Sequence, residues 1–196
     1  MYVILATSIG ALALFCERAY FLFKKMNLNM DAAFSRIAKL LERANYRAAL
    51  QEVNTIQQHP MGRVLKSGLL KSGKRDKDIE QAMQEGILRE MPLLKVRINY
   101  LSMFANVATL LGLLGTIVGL ISAFAGVADA SAAEKQTILA AGISVAMFTT
   151  AFGLIVSIPS LVGFYVLNNR SDKIIEKMDE KALSLFNILT DLKREK

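Results

Sequence analysis

Two stretches of the chain contain no charged residue and no histidine: Ile98 to Ala128 and Gln136 to Asn169. A helix needs about 20 apolar residues to cross the roughly 30 Å hydrocarbon core of a bilayer. At about 1.5 Å per residue, thirty residues make a helix of about 45 Å. The pattern predicts two transmembrane helices, over 98–128 and 136–169, each long enough to project from the membrane. A short connection over 129–135 joins them. Residues 1–23 form a third candidate span, in which Glu17 and Arg18 interrupt an apolar run that resumes as "AYFLF". A cleaved signal peptide needs a basic leader and a small-residue cleavage site. No Lys or Arg precedes Arg18, and "ALFCER" makes a poor site. An uncleaved span is expected.

The remaining segments, 24–97 and 170–196, alternate polar and apolar residues with helical period. Phe34, Ile37, Leu40 and Leu41 fall on one face of a helix that Asp31 is placed to cap. Ala48, Leu50, Val53 and Ile56 form a second stripe. His59-Pro60 breaks the pattern, because Pro disfavours helix before it. "MGRVLKSGLLKSG" reads as a short helix. Asp76 is placed to cap another, which runs through Glu85 and Arg89 into the second span, with a bend available at Pro92. Ile174, Ile175, Met178, Ala182, Leu185, Ile188, Leu189 and Leu192 give the tail one apolar face. No strand pattern or internal repeat is visible. The fold class is an all-α integral membrane protein: three transmembrane helices, two of them long and extending into the cytoplasm, with a helical cytoplasmic domain.

Charge orients this arrangement. The net charge is +7, but the Lys and Arg lie between Arg18 and Arg97 or after Asn169, apart from Lys135. Positive residues stay on the cytoplasmic side. The amino terminus and the 129–135 connection are therefore expected in the periplasm, with 24–97 and the tail in the cytoplasm. Basic residues interleaved with Asp and Glu make a solvated helical face, which argues against nucleic acid as a partner. Cys16 is the only cysteine, so an intrachain disulfide is excluded and no metal cluster is suggested. His59 is the only histidine and falls in a turn. No nucleophile–base or metal-ligand spacing appears, so an enzyme is not expected, nor a cofactor.

The uncharged spans carry small residues at helical spacing. Gly112, Gly115, Gly119, Ser122 and Gly126 share one face, as do Gly142, Ala146, Thr149, Gly153, Ser157 and Ser160. Such faces let membrane helices approach closely. Thr116 and Thr150 each sit one residue, about 100° of rotation, beyond their stripe. A membrane threonine often bonds its own helix, but its oxygen can also help desolvate a cation or bond a carboxylate. It does not titrate near neutral pH. Intramembrane ionisable residues usually mark an ion pathway, and neither long span has one. Glu17, beside Arg18 at the inner edge, is the only acid in any span and reads as a membrane-interface pair. An ion pathway here would take its titrating carboxylate from another chain.

"ERAYFL", "HPMGRVLKSGL", "LLGLLGTIVGLISAF" and "AAGISVAMFTTAFGLIVSIPSLVGFYVLNNR" together resemble the MotA/TolQ/ExbB proton channel family, and three spans with an outside amino terminus fit the ExbB/TolQ branch best. The resemblance implies a bacterial inner-membrane protein that forms a five-subunit ring around two copies of an ExbD/TolR-like single-span partner. That partner supplies the pore aspartate, and H⁺ or Na⁺ flow drives mechanical work. It implies pore-lining roles for Thr116 and Thr150, with Thr149 beside them. Helix-packing and partner-contact roles are expected for Gly112, Gly115, Gly119, Ala146, Gly153 and Pro159. Two positions depart from the family pattern. Val145 stands where many relatives carry a glutamate, and Thr109 stands where many carry a proline. The alternative reading is a membrane scaffold that uses the same stripes without conducting ions.

Overall fold

The computed structural model describes residues 2–128 and 130–194. Among these, every regular element is helical. In order they are α1 (Tyr2–Ala19), a π-helical stretch (Tyr20–Lys25), α2 (Met30–Glu42), α3 (Tyr46–Thr55), α4 (Pro60–Leu69), α5 (Asp76–Lys95), α6 (Ile98–Ala128) and α7 (Ala132–Arg194). Three helical stretches are long and apolar enough to cross a membrane, and they contain α1, α6 and α7. The expected boundaries at Met1, Asp129 and the last two residues, Glu195 and Lys196, lie outside the described residues.

The chain divides into two units. The first comprises α1, α6 and α7 as far as Leu167. Its helices touch through small or flat groups: the Phe104 ring lies against Gly10, and Phe15 lies against Gly163. Ile4, Ala11, Leu101, Ala105 and Ala108 are buried between them. Most apolar side chains of α6 face outward, including Leu110, Leu113, Val118, Ile121 and Phe124. A water-soluble domain would not leave that much apolar surface contiguous and exposed.

The second unit comprises Phe21–Val96 and α7 beyond Leu167. Its core is Leu22, Ile37, Leu41, Met61, Leu65, Ile79, Leu94, Ile174, Met178 and Leu185, all essentially inaccessible. Ion pairs ring this core. Asp31 holds Lys177 at 3.0 Å and Lys181 at 2.7 Å, Lys193 reaches Asp76 at 3.0 Å, and Lys95 reaches Asp172 at 2.8 Å. Arg63 forks onto the buried Glu90 with contacts of 2.6 and 2.5 Å.

Helix ends differ from the sequence expectation in three places. The cap of α2 is Asn29, whose side chain accepts from the Ala32 amide. Asp31 lies inside the first turn and serves the lysine pairs instead. Asp76 is the first residue of α5, preceded by Arg75 with no side-chain cap. The expected run from α5 into the second span is broken: α5 ends at Lys95, and Arg97 adopts a left-handed backbone with φ of 63°. The third span and the tail form one 63-residue helix that continues through Pro159. One half of a capping box starts it. The Glu134 carboxylate accepts from both the hydroxyl and the amide of Ser131, and the amide is a donor that the first turn leaves open. These bonds hold the Glu134 carboxyl below its usual range.

Candidate functional site

The small-residue stripes of α6 and α7 meet each other. Gly112 lies against Thr150 and Gly153, Gly119 against Ala146, and Gly126 against Ile138. Residue numbers rise on one helix as they fall on the other, so α6 and α7 are antiparallel. The closest approach to the facing main chain is at Gly153, where a methyl group would sit 2.7 Å from the Ala108 carbonyl oxygen and 3.0 Å from the Gly112 Cα. At Gly115 it would sit 2.5 Å from the Thr149 hydroxyl oxygen. These glycines are occupied by packing within one chain. Ala146 is buried in the same seam, whereas Pro159 faces outward.

The seam has two flanks. On one, α1 covers a groove of about 600 Å³ whose lining includes Val3, Ile4, Val118, Val145 and Thr149. Further along the same side, Pro159 borders a second apolar cavity of about 390 Å³ with Phe15 and Leu12. At about 100° of rotation per residue, Thr109 and Thr116 project from the other side of α6, and Thr150 from the corresponding side of α7. Neither groove includes those three residues. The sequence reading grouped Thr149 with Thr116 and Thr150; the structure separates them. Val145, at the position of the family's glutamate, also lies on the α1 flank.

Each hydroxyl has a main-chain or cross-seam partner. Thr116 donates to the Leu113 carbonyl at 2.6 Å, and Thr149 donates to the Ala146 carbonyl at 2.7 Å. Thr150 reaches across the seam to the Gly112 carbonyl at 3.2 Å. Thr109 and Ser157 are 2.8 Å apart across the seam, and Thr109 also lies 3.1 Å from the Ala105 carbonyl. A hydroxyl has one hydrogen and two lone pairs. Once its hydrogen is committed to a carbonyl, it faces a visitor as an acceptor. The flank carrying Thr109, Thr116 and Thr150 can therefore solvate a cation or accept from a protonated carboxyl.

Neither α6 nor α7 as far as Leu167 carries a titratable carboxylate on that flank. Glu17 of α1 is already engaged: its carboxylate holds Arg97 at 2.9 and 3.1 Å and Arg18 at 3.3 Å. The expected Glu17–Arg18 pair is thus part of a three-residue cluster that ties the end of α1 to the start of α6.

A family model described as the MotA/TolQ/ExbB proton channel family matches residues 56–180. The chain belongs to that family. The match takes in both long spans and the threonine flank, and it agrees with the resemblance carried by the span motifs. A relative from Synechocystis, named as a biopolymer transport protein, ExbB-like 3, is 31% identical over 81% of this chain and 75% of its own length. That relative fits the ExbB branch of the family. A solved structure of C. jejuni MotAB superposes with a TM-score of 0.71 at 18% identity, covering 95% of this chain and 75% of that one. At that identity the likeness speaks for the fold.

Sequence reasoning did not find the Thr109–Ser157 bridge. Thr109 stood out only as a departure from the family pattern, and Ser157 only as a member of a stripe. Their separation of 48 residues gives no local signal. Pairing the two stripes as antiparallel would have brought them together.

Proposed function

We propose that this chain is the ring-forming inner-membrane subunit of an ion-driven motor, which couples H⁺ or Na⁺ flow to mechanical work through a single-span partner of the ExbD/TolR kind. The amino terminus lies in the periplasm and the second unit in the cytoplasm. One observation carries the reading. The α6–α7 flank away from α1 presents hydroxyl acceptors and no carboxylate, so it suits an acid brought by another chain. The likeness of fold to C. jejuni MotAB supports a partner chain. Exposed apolar faces on α6 and α7 suit neighbouring copies of the chain, and the family resemblance supplies five copies around two partner chains.

The scaffold reading keeps the close glycine seam but needs no hydroxyl flank. Vesicles holding this chain with its partner separate the two. Under an imposed pH or sodium gradient they are expected to pass ions when the partner carries its aspartate, and to stop when that aspartate is replaced by asparagine. Equal leakage in both preparations would contradict the proposal.

A further inference from the structure

The second unit contains a basic pocket that ion conduction does not use. Arg170 is the first charged residue after the uncharged run that ends at Asn169. Arg170, Lys173, Ile174 and Lys177 follow at helical spacing on one stripe of α7. They line a cavity of about 190 Å³ whose opposite wall is Met26, Leu28 and Met30, from the segment that follows the π-helical stretch. Of the three cations, only Lys177 has an acidic partner among the described residues, Asp31. The Arg170 guanidinium lies over the Phe23 ring at 5.5 Å, and its buried Nε has no hydrogen-bond partner. Lys173 is exposed and takes part in no ion pair described in the unit. Glu176, on the rim, is the one acid at the mouth.

We propose that this pocket binds the phosphate headgroup of an anionic phospholipid. The Arg170 fork suits a phosphodiester's two free oxygens, and Lys173 adds a second positive charge. Met26, Leu28, Met30 and Ile174 give an apolar wall for the glycerol and the first methylenes, which free phosphate would leave unused. The position fits a lipid as well, since the pocket begins where the uncharged span ends. On the orientation proposed above, that end faces the cytoplasmic leaflet, whose anionic lipids attract basic segments next to a span. Neither the threonine flank nor a partner chain enters the argument.

Native mass spectrometry of the purified full-length protein in mild detergent tests this, using phosphatidylglycerol, phosphatidylcholine and inorganic phosphate as separate probes. Wild type is expected to retain phosphatidylglycerol in preference to phosphatidylcholine. Removing both free charges in Arg170→Gln/Lys173→Gln should weaken that retention by about thirtyfold, at about fivefold for each charge near the surface. Removing charges at and beyond the end of α2 opposite Met30 in Arg43→Gln/Arg47→Gln should leave it unchanged. Leu28→Asn should weaken the lipid and spare any inorganic phosphate. Equal retention of the two lipids by wild type would overturn the proposal, and this comparison needs no variant. So would unchanged retention in the Arg170/Lys173 variant, or displacement of the lipid by millimolar inorganic phosphate. The readout is lipid occupancy, so it stands or falls separately from ion flux.

Discussion

His59 occupies a position that its turn-like sequence context did not reveal. It is buried, and its Nδ1 accepts from the Met61 amide at 3.2 Å as the cap of α4. Burial, with a smaller contribution from Arg63, lowers its pKa to about 4. Its ordinary value is 6.5, so the unfolded chain takes up the proton first as pH falls. The stability contributed by neutral His59 is complete above pH 6.5 and is lost progressively toward pH 4. The total is about 3 kcal/mol at 1.36 kcal/mol per pKa unit. Denaturant melts of the full chain in detergent at pH 7.5 and pH 4.5 measure it. His59→Asn keeps a capping acceptor without the titration, so its stability should change less over that interval. Equal losses in the two proteins would contradict this assignment. The threonine hydroxyls also matter at this scale. Those of Thr116 and Thr150 are committed donors, so their chemistry toward an ion or acid is that of an acceptor.

Among the elements, the α6–α7 seam decides what the glycines do. The stripe spacing was legible in the sequence, because residues three and four apart share a helix face whatever the surroundings. Which stripe met which was not legible, since no local signal distinguishes a neighbour in the same chain from a neighbour in a ring. The structure joins Gly112 to Gly153 and Gly119 to Ala146 within one subunit. Substitutions there should first cost the stability of the subunit. Gly153→Ala, pressed against the Ala108 carbonyl, is expected to destabilise by about 1–3 kcal/mol, as overpacking does in other cores. Gly73→Ala meets nothing within 4 Å and should be tolerated. Thermal melts of the two variants in detergent are the check; equal melting points would mean the seam relaxes freely. Helix ends were the least legible feature. Asn29 caps α2 while Asp31, inside its first turn, pairs with two lysines, and the Arg97 break depends on φ of a residue with no turn signature. The "SAAE" capping box of α7 was readable and was missed.

For the whole molecule, the apolar runs were legible because a bilayer imposes a length and a composition together. The orientation rests on the positive-inside asymmetry. A membrane-impermeant thiol label applied from the periplasm should reach a cysteine placed at Ser131 and miss one at Gly73, in a Cys16→Ser background. The opposite labelling would invert the topology. Assembly is checked by native mass spectrometry, where a pentamer is expected, gaining two chains when the partner is coexpressed. A stable monomer or dimer would count against the ring.

The central claim is that the flank of Thr116 and Thr150 is the ion pathway, and ion flux through vesicles containing the assembled ring and its partner tests it most directly. Thr116→Val and Thr150→Val keep the shape and remove the oxygen. A lost hydrogen bond to a charged group costs about 1.5–3 kcal/mol, so each variant should slow flux by roughly one to two orders of magnitude. Serine at either position should retain most of the rate. Thr149→Val, on the α1 flank, should change flux far less. Normal flux in both Thr116→Val and Thr150→Val, with assembly intact, would contradict the account.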